Sequence, residues 1–566
     1  MRLTSVKALL TGTTSMILFS CQAVSSFALM PKSSRFLPSK SQLPTKTHVF
    51  SPYSDSRSYR SSGLGAYNEG LNLMMTLPRG GASVISSVTS KVSAITSTPS
   101  GLFNTALVAL ALTTATFKVL QRSSQKFSST ESNASNKVKP KSISSLQIRY
   151  LTVFWLIRCA DWLQGPYFYE VYASKVFHGV QASMGLVSKL FLTGFASTAL
   201  FGPLVGRAAD VYGRKRGTLA FCLIYALGAA STKSPLLSIL LMGRVLSGIG
   251  TSLLFSAPES WLVGESQKSG DDPDGTYLGE TFGRAYAGDA IVAILAGQFA
   301  GAAAAARGPT GPFELSTVFL AFGGLLAAWL WNENVADVST TANGSASTKS
   351  ETSKPSIRDA VRVVAADPNI ILVGAVQSLF EAAMYIFVLQ WPPAISSAVK
   401  TVFGANAPTP YGTVFSCFMA SCLLGSTLFG QFAKMGVPTE IFTTGMLGVA
   451  TIAMGASTLA TSSNVVSLSA VVAGFFAFEA CVGMYFPSIG TLRSKYVPDS
   501  HRGVIMNLFG IPLNALVVSV FLSMKRLGLS GALGISTGAL GLATLGMFTL
   551  QQTTSALRKP NASPIE

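Results

Sequence analysis

The sequence has little charge and few of the side chains that build soluble catalytic sites. Only 12% of its 566 residues are Asp, Glu, Lys or Arg, whereas a typical soluble domain has about 25%. Three histidines and six cysteines are scattered along the chain, without the spacing of a zinc site, a redox pair or a disulfide framework. No phosphate-binding loop or dinucleotide-binding glycine pattern opens a βα unit. These absences argue against a soluble enzyme or an ATP-driven pump, so we expect no enzyme activity, cofactor or metal.

The positive charge of the chain is concentrated in its first quarter. The formal net charge is +18. Residues 1–149 hold 17 Lys and Arg and three acids, a net of +14, which leaves +4 for the other 417 residues. The basic residues are diluted among 31 serines, without a fold or an aromatic surface that would stack bases. We therefore expect no nucleic-acid partner.

The first 100 residues have the pattern of a presequence, and we expect them to be largely disordered. Arg2 and Lys7 precede an apolar stretch, and small residues follow at 21–28, as in a secretory signal peptide. Residues 28–100 are basic, rich in Ser and poor in acid, as transit peptides are. The combination resembles the bipartite presequence of algae with secondary plastids and implies a plastid envelope. The alternative is a simple signal followed by a tail, which leads to the plasma membrane or an endomembrane.

Residues 101–145 form an apolar segment followed by a basic linker. The run at 101–120 is long enough to span a bilayer, and Lys118 and Arg122 lie at its exit. It is either an extra N-terminal membrane helix or a targeting segment that is later removed, and both readings stay open.

The body of the chain alternates apolar stretches with short polar gaps. Each stretch is close to the ~20 residues that a helix needs to cross the hydrocarbon of a bilayer. We predict an all-α membrane protein with six helices in 146–332, a cytosolic loop at 333–365, six helices in 366–551 and a tail at 552–566. The twelve predicted spans are 146–172, 181–206, 216–233, 236–263, 283–306, 312–332, 366–396, 410–431, 438–460, 464–491, 503–524 and 530–551.

Basic residues in short loops predict the orientation. They lie between spans 2 and 3, in the central loop, before span 11 and in the tail, whereas the other side of the membrane carries few. The positive-inside rule places both ends of the body and the central loop on the cytosolic or stromal side.

Charged residues recur at one offset in the two halves. Asp161 and Glu381 are 220 residues apart, as are Glu259 and Glu479, and Arg284 and Arg502 are separated by 218. Two parallel, pseudo-symmetric halves with a site between them near the midplane are a common transporter architecture.

Two motifs resemble those of the major facilitator superfamily. The loop after span 2 reads GRAADVYGRKRG, and span 4 begins with GRVLSGIG. The resemblance implies the major facilitator fold and a gating role for these residues: Gly206, Asp210, Gly213, Arg214, Lys215 and Arg244. The alternative for the first motif is a basic anchor with a glycine turn.

Four further strings resemble the molybdate-anion transporter branch of that superfamily. They are ADWLQGPYFYEVY, LLFSAPESWLV, QSLFEAAMYIFVLQWPPA and the region from Tyr485 to Asn514 that ends in MNLFGIPLN. The resemblance implies secondary transport of an inorganic oxyanion. The sequence departs from the branch at Pro258, where a bulky residue is expected, and at Gly510, where an arginine is expected.

Polar residues inside the spans predict a central site. Ionisable groups are costly in a bilayer and normally face the bundle interior or water. The alternative is that some of them only hold helix to helix. The candidates for substrate binding or coupling are Asp161, Gln164, Tyr167, Glu259, Arg284, Gln377, Glu381, Tyr385, Glu479, Tyr485, Asn507 and Asn514.

An oxyanion requires cationic and N–H donors, of which Arg284 is our first candidate because Tyr286 and Asp289 share its span. Carboxylates could balance such arginines or carry a coupling proton. We expect a monomeric secondary transporter for molybdate that works by alternating access, with anion–proton symport as a workable mechanism. The alternatives are a carrier of sulfate or another small solute and a membrane sensor that does not transport.

Overall fold

The computed structural model describes residues 96–128, 139–272, 275–335, 357–462, 467–498 and 501–558. The predicted presequence up to residue 95, most of the predicted central loop and the end of the tail lie outside the described residues. From Thr98 onward the chain forms one compact unit.

The described residues form an almost entirely helical protein. One short antiparallel hairpin, Val176–Phe177 with Val180–Gln181, follows the third helix. The α-helices are α1 Pro99–Ser128, α2 Lys141–Gln164, α3 Phe168–Ala173, α4 Met184–Tyr212, α5 Arg214–Ser231, α6 Leu237–Ser269, α7 Thr276–Arg307, α8 Gly311–Leu330, α9 Ile357–Ala366, α10 Pro368–Phe403, α11 Tyr411–Lys434, α12 Thr439–Ser462, α13 Leu468–Tyr496, α14 Arg502–Leu522 and α15 Met524–Arg558.

Each of the twelve predicted spans corresponds to a helix in this part of the chain. The first span is divided, because Pro166 lies in a 3-10 turn, Gly165–Tyr167, that separates α2 from α3. Ten apolar stretches, which together contain α1 and ten of the body helices, are long and apolar enough to cross a membrane. The other two, α2 and α5, carry several charged side chains, and these lower their mean hydropathy.

The helices of the two halves pack in the same pattern. In the first half α6 packs against α4 and α5, while α8 packs against α2 and α5, and α7 against α2. The second half repeats this, since α13 packs against α11 and α12, α15 against α10 and α12, and α14 against α10. Thus α2, α4, α5, α6, α7 and α8 correspond to α10, α11, α12, α13, α14 and α15. The predicted fold class is confirmed.

The segment 101–120 lies within α1, which packs against α11 of the second half. The Phe103 carbonyl near the start of α1 accepts a contact of 3.3 Å from Cys417 Sγ near the start of α11. Gln121 lies beside Gly430 towards the end of α11. The two helices are therefore parallel, and α1 adds a thirteenth long helix to the twelve of the body.

Candidate functional site

The two halves meet where the second part of α7 faces the start of α11. Gln298 Nε2 donates to Ser416 Oγ at 3.0 Å, and that hydroxyl donates to the Ile294 carbonyl at 2.7 Å. Gly412 has no room for a side chain, because a Cβ there would overlap the Gly297 carbonyl. The glycines allow the two backbones to approach closely.

Aromatic side chains extend this contact between the halves. Their ring centroids lie 5.0–5.9 Å apart. The Tyr411 hydroxyl also donates to Glu170 at 3.1 Å. The ring pairs are Trp162–Phe415, Tyr167–Tyr411, Phe191–Phe521 and Phe195–Tyr385.

We call the end of the bundle where α2 begins the basic end, because the basic loop between α4 and α5 lies there, and we call the other end the opposite end. The contacts between the halves described above lie in the middle of the bundle or towards the opposite end. At the basic end, the contacts of Arg149, Lys215 and Lys495 stay within one half. The structure is thus held closed at the opposite end.

A charged cluster in the first half is built around Arg158 of α2. Its Nε lies 3.0 Å from Asp289 Oδ1 and its terminal nitrogen 2.9 Å from Asp289 Oδ2, so α7 supplies a two-point acceptor. Its other terminal nitrogen is 3.3 Å from Asp161, one turn further along α2. Tyr225 of α5 donates to Asp161 at 2.6 Å, and Trp162 donates to Asp289 at 2.8 Å.

Rings and one more carboxylate surround this cluster. The Arg158 guanidinium lies 4.9 Å from the Trp162 ring and 5.5 Å from the Phe255 ring of α6. Tyr286 of α7 donates a short hydrogen bond to Glu259 of α6. The cluster and the Glu259–Tyr286 pair therefore connect α2, α5, α6 and α7.

A second cluster in the other half is built around Arg493 of α13. Its Nε donates to Gln377 Oε1 at 2.9 Å, and a terminal nitrogen donates to Glu381 at 3.1 Å. The Tyr485 hydroxyl donates to the same Glu381 oxygen at 3.0 Å. Three predicted residues, Gln377, Glu381 and Tyr485, thus meet at one arginine.

Neither Arg158 nor Arg493 is among the predicted site residues. The sequence predicts a basic loop at Arg493, but α13 continues to Tyr496 and keeps this residue on the helix. Its distance of eight residues from Tyr485 was the available signal, because it places both on one helix face. Tyr225 and Trp162 gave no such signal.

Other predicted residues lie apart from the two clusters. Gln164 donates to Ser316 at 2.9 Å and joins α2 to α8, while Tyr167 and Tyr385 take part in the ring contacts between the halves. Glu479 is buried, and no ion pair to it is formed by the residues that the structure describes. On α14, Asn507 is exposed and Asn514 half-buried.

Arg284 lies in an ion-pair network near the start of α7. It is 2.5 Å from Glu280, one turn before it, and 3.2 Å from Gln147 of α2. Lys139 binds the same two residues at 2.8 and 2.6 Å. The Arg284 side chain is 55% exposed, so the structure separates it from the Arg158 cluster.

The predicted gating loop is bound to the residues that follow α8. Gly213 has a φ of 122°, which a residue with a side chain rarely adopts. The Glu333 carboxylate accepts from the backbone N–H groups of Lys215 and Arg216 at 2.9 and 3.1 Å, at the start of α5. Within the loop, Arg214 pairs with Asp210 at 3.1 Å.

Arg244, the arginine of the second motif, lies on α6. Its guanidinium is 4.5 Å from the Phe168 ring, and it also interacts with Tyr172 and Tyr225. A Cβ at Gly194 of α4 would overlap its terminal nitrogen. Gly206, the first residue of the loop motif, faces Ser256 of α6.

Comparison with known proteins places these features in a family. A family model described as sugar transporters, 12 TM, matches residues 103–486. A molybdate-anion transporter of Takifugu rubripes is 30% identical over 423 residues, which are 71% of this chain and 83% of that protein. One of Xenopus tropicalis is 28% identical over 443 residues, which are 76% of this chain and 92% of that protein.

Solved structures share the fold at low sequence identity. A peptide transporter in complex with sulfate has a TM-score of 0.57 at 16% identity, covering 76% of this chain and 98% of that one. A bacterial homologue of the iron transporter ferroportin, in its inward-facing state, has a TM-score of 0.51 at 13% identity, covering 72% of this chain and 98% of that one. A nucleoside transporter gives 0.54 at 12% identity and covers 73% of this chain and 100% of that one.

Proposed function

We propose that this chain, which belongs to a twelve-helix transporter family of the major facilitator superfamily that includes curated molybdate-anion transporters, carries molybdate or a similar divalent oxyanion across a membrane. The observation that carries the proposal is the pair of arginine clusters, Arg158 in one half and Arg493 in the other. They occur in a chain whose relatives are named as transporters of this anion. Arginine offers several fixed N–H donors, which suit an oxyanion.

The way the halves contact each other supports alternating access. The α7–α11 and α4–α14 contacts relate the two halves symmetrically and close the opposite end. Rocking the halves about these contacts would separate Gly412 from Gly297 and bring the basic ends together. The clusters, on α2, α7, α10 and α13, would then face the other side of the membrane.

The charges of the clusters support proton coupling. Arg158 is matched by two carboxylates, Asp161 and Asp289, and Arg493 by Glu381. With all three carboxylates ionised the clusters sum to −1, and a bound dianion would bring them to −3. Such a charge is costly away from water. We propose that Asp161 and Glu381 take up protons when the anion binds, so that anion and protons move together.

Uptake into liposomes tests this function. The full-length protein is reconstituted, and saturable uptake of labelled molybdate is measured with and without an inward proton gradient, with sulfate and with a neutral sugar as competitors. We expect molybdate uptake that sulfate inhibits and that the gradient accelerates. Absence of saturable uptake would refute transport, and binding without uptake would point to a sensor. Competition by sugar but not by sulfate would refute the oxyanion, and equal uptake with and without the gradient would refute proton coupling.

We also propose that the leader delivers the protein to the plastid envelope. The support is the order of its signal-like and transit-like stretches. A fusion of residues 1–149 to a fluorescent protein is expected to label the plastid rim in an alga with a secondary plastid. Plasma-membrane or reticular fluorescence would refute the plastid and favour the simple signal.

A further inference from the structure

Arg244 is a half-buried cation without a carboxylate partner. Arg158 and Arg493 each form an ion pair, at 2.9 and 3.1 Å. Among the residues that the structure describes, no carboxylate lies within ion-pair distance of Arg244, and its Nε is buried without a hydrogen-bond acceptor. A charge inside a membrane bundle is costly unless something compensates it. Arg244 therefore lacks the negatively charged partner that would compensate its charge.

The neighbours of Arg244 surround its guanidinium without neutralising it. Phe168 lies 4.5 Å from the guanidinium. The hydroxyls of Tyr172 and Tyr225, both on buried residues, interact with it. Gly194 provides the space that its terminal nitrogens occupy. With these neighbours Arg244 keeps its positive charge, and its Nε still lacks a hydrogen-bond acceptor.

The same neighbours connect Arg244 to the rest of the proposed mechanism. Tyr225 also donates to Asp161 at 2.6 Å, so the same tyrosine interacts with Arg244 and with the carboxylate proposed to take up a proton. Phe168 packs on Phe191, which packs on Phe521 of the other half, with centroids 5.3 and 5.2 Å apart. Arg244 thus lies beside the rings that join the halves at the opposite end.

We propose that Arg244 binds the oxyanion directly in the state that is closed at the opposite end. Tyr172 adds a hydroxyl donor, and Tyr225 is a positioning residue that links the anion to Asp161. This assignment rests on the proposed function. It specifies that function further, because it names Arg244, which no carboxylate neutralises, as the residue that binds the transported oxyanion. The substrate class is a tetrahedral divalent oxyanion, which accepts hydrogen bonds from several donors at once.

Binding to the purified full-length protein in nanodiscs tests this assignment by titration calorimetry with sodium molybdate and sodium sulfate. We expect Arg244→Gln to weaken both anions about 10- to 100-fold, the range for a lost charge-assisted hydrogen bond. Arg244→Lys keeps the charge and should lose less. Gly194→Ala keeps Arg244 but displaces its guanidinium, so it should also weaken binding. Arg207→Gln, an exposed arginine of α4, is the matched control and should bind as the unmodified protein does.

The outcomes separate this assignment from the proposed function. If the unmodified protein binds neither anion, the proposed function fails. If it binds and both Arg244→Gln and Gly194→Ala bind equally well, Arg244 is not a ligand. Size-exclusion profiles and unfolding temperatures show which variants are folded. If Arg244→Gln does not fold, the test rests on Arg244→Lys and Gly194→Ala. Unchanged affinity of both variants for molybdate and sulfate would then overturn the assignment.

Discussion

Arg158 and Asp289 form a two-point ion pair between α2 and α7 in which both side chains are about nine-tenths buried. The pair joins the two helices near the middle of the first half, and Trp162 supplies a third donor to the same carboxylate. Breaking one partner of a buried pair leaves the other charge without compensation.

Asp289→Asn should therefore destabilise the protein. We expect a loss of about 3–5 kcal/mol in the free energy of unfolding, measured by thermal unfolding in detergent with tryptophan fluorescence. The control is Asp210→Asn, whose carboxylate pairs with Arg214 but is 45% exposed. It should change the free energy by about 1 kcal/mol or less. An equal loss of unfolding free energy in both variants would show that the buried pair contributes no more to stability than the exposed one.

Asp161→Asn and Glu381→Gln should separate binding from accumulation. Each amide resembles the protonated acid, so molybdate should still bind, with less dependence on pH. Accumulation driven by a proton gradient should fall at least about tenfold, because the group that carries the proton is gone. Glu314→Gln is the control, since Glu314 pairs with Lys233 and Arg307 near the opposite end. Normal gradient-driven accumulation in both variants would contradict the coupling role.

Gly412→Ala should shift the equilibrium away from the state that is closed at the opposite end and towards the state that is closed at the basic end. The added Cβ would overlap the Gly297 carbonyl and force α7 and α11 apart. We expect longer distances at the opposite end, measured by pulsed electron spin resonance between labels at Val180 and Thr401. Gly490→Ala, at a glycine with open space around it, should leave the distances unchanged. An unaltered distance distribution in Gly412→Ala would show that this contact does not hold the closed state.

Glu333→Gln should weaken the loop between α4 and α5. The carboxylate caps the start of α5 by accepting from two backbone N–H groups, and its charge is favourable there. We expect a loss of about 0.5–2 kcal/mol in stability and slower transport, measured by thermal unfolding and uptake. Asp359→Asn, on the exposed side of α9, is the control. A variant with unchanged stability and uptake would rule out this capping role.

The fold could be predicted because helix length and apolar content determine which segments cross a membrane. The predicted span 216–233 lies close to Arg214–Ser231, whereas 530–551 is extended at both ends into Met524–Arg558. The extension begins before Gly528, whose positive φ bends the chain there. Hydropathy does not detect such a bend inside a helix.

The site could be predicted only in part, because spacing assigns a side chain to a helix face and not to a partner. Gln377, Glu381 and Tyr385 share a face of α10, but only the first two contact Arg493. The positive-inside rule assigns basic residues at helix ends to loops, so it predicts a loop position for Arg493, which lies on α13. Glu333 follows a span and lacks a motif, so nothing in its local sequence indicated the cap.

The parallel packing of α1 on α11 has a consequence for topology. Phe103 lies beside Cys417 and Gln121 beside Gly430, so α1 runs from the opposite end to the basic end. If α1 crosses the bilayer as the twelve body helices do, the number of crossings is odd and Pro99 and Arg558 lie on different sides. In a twelve-helix body alone, both termini share a side. A membrane-spanning α1 therefore predicts that the two ends of the described helices lie on opposite sides of the bilayer.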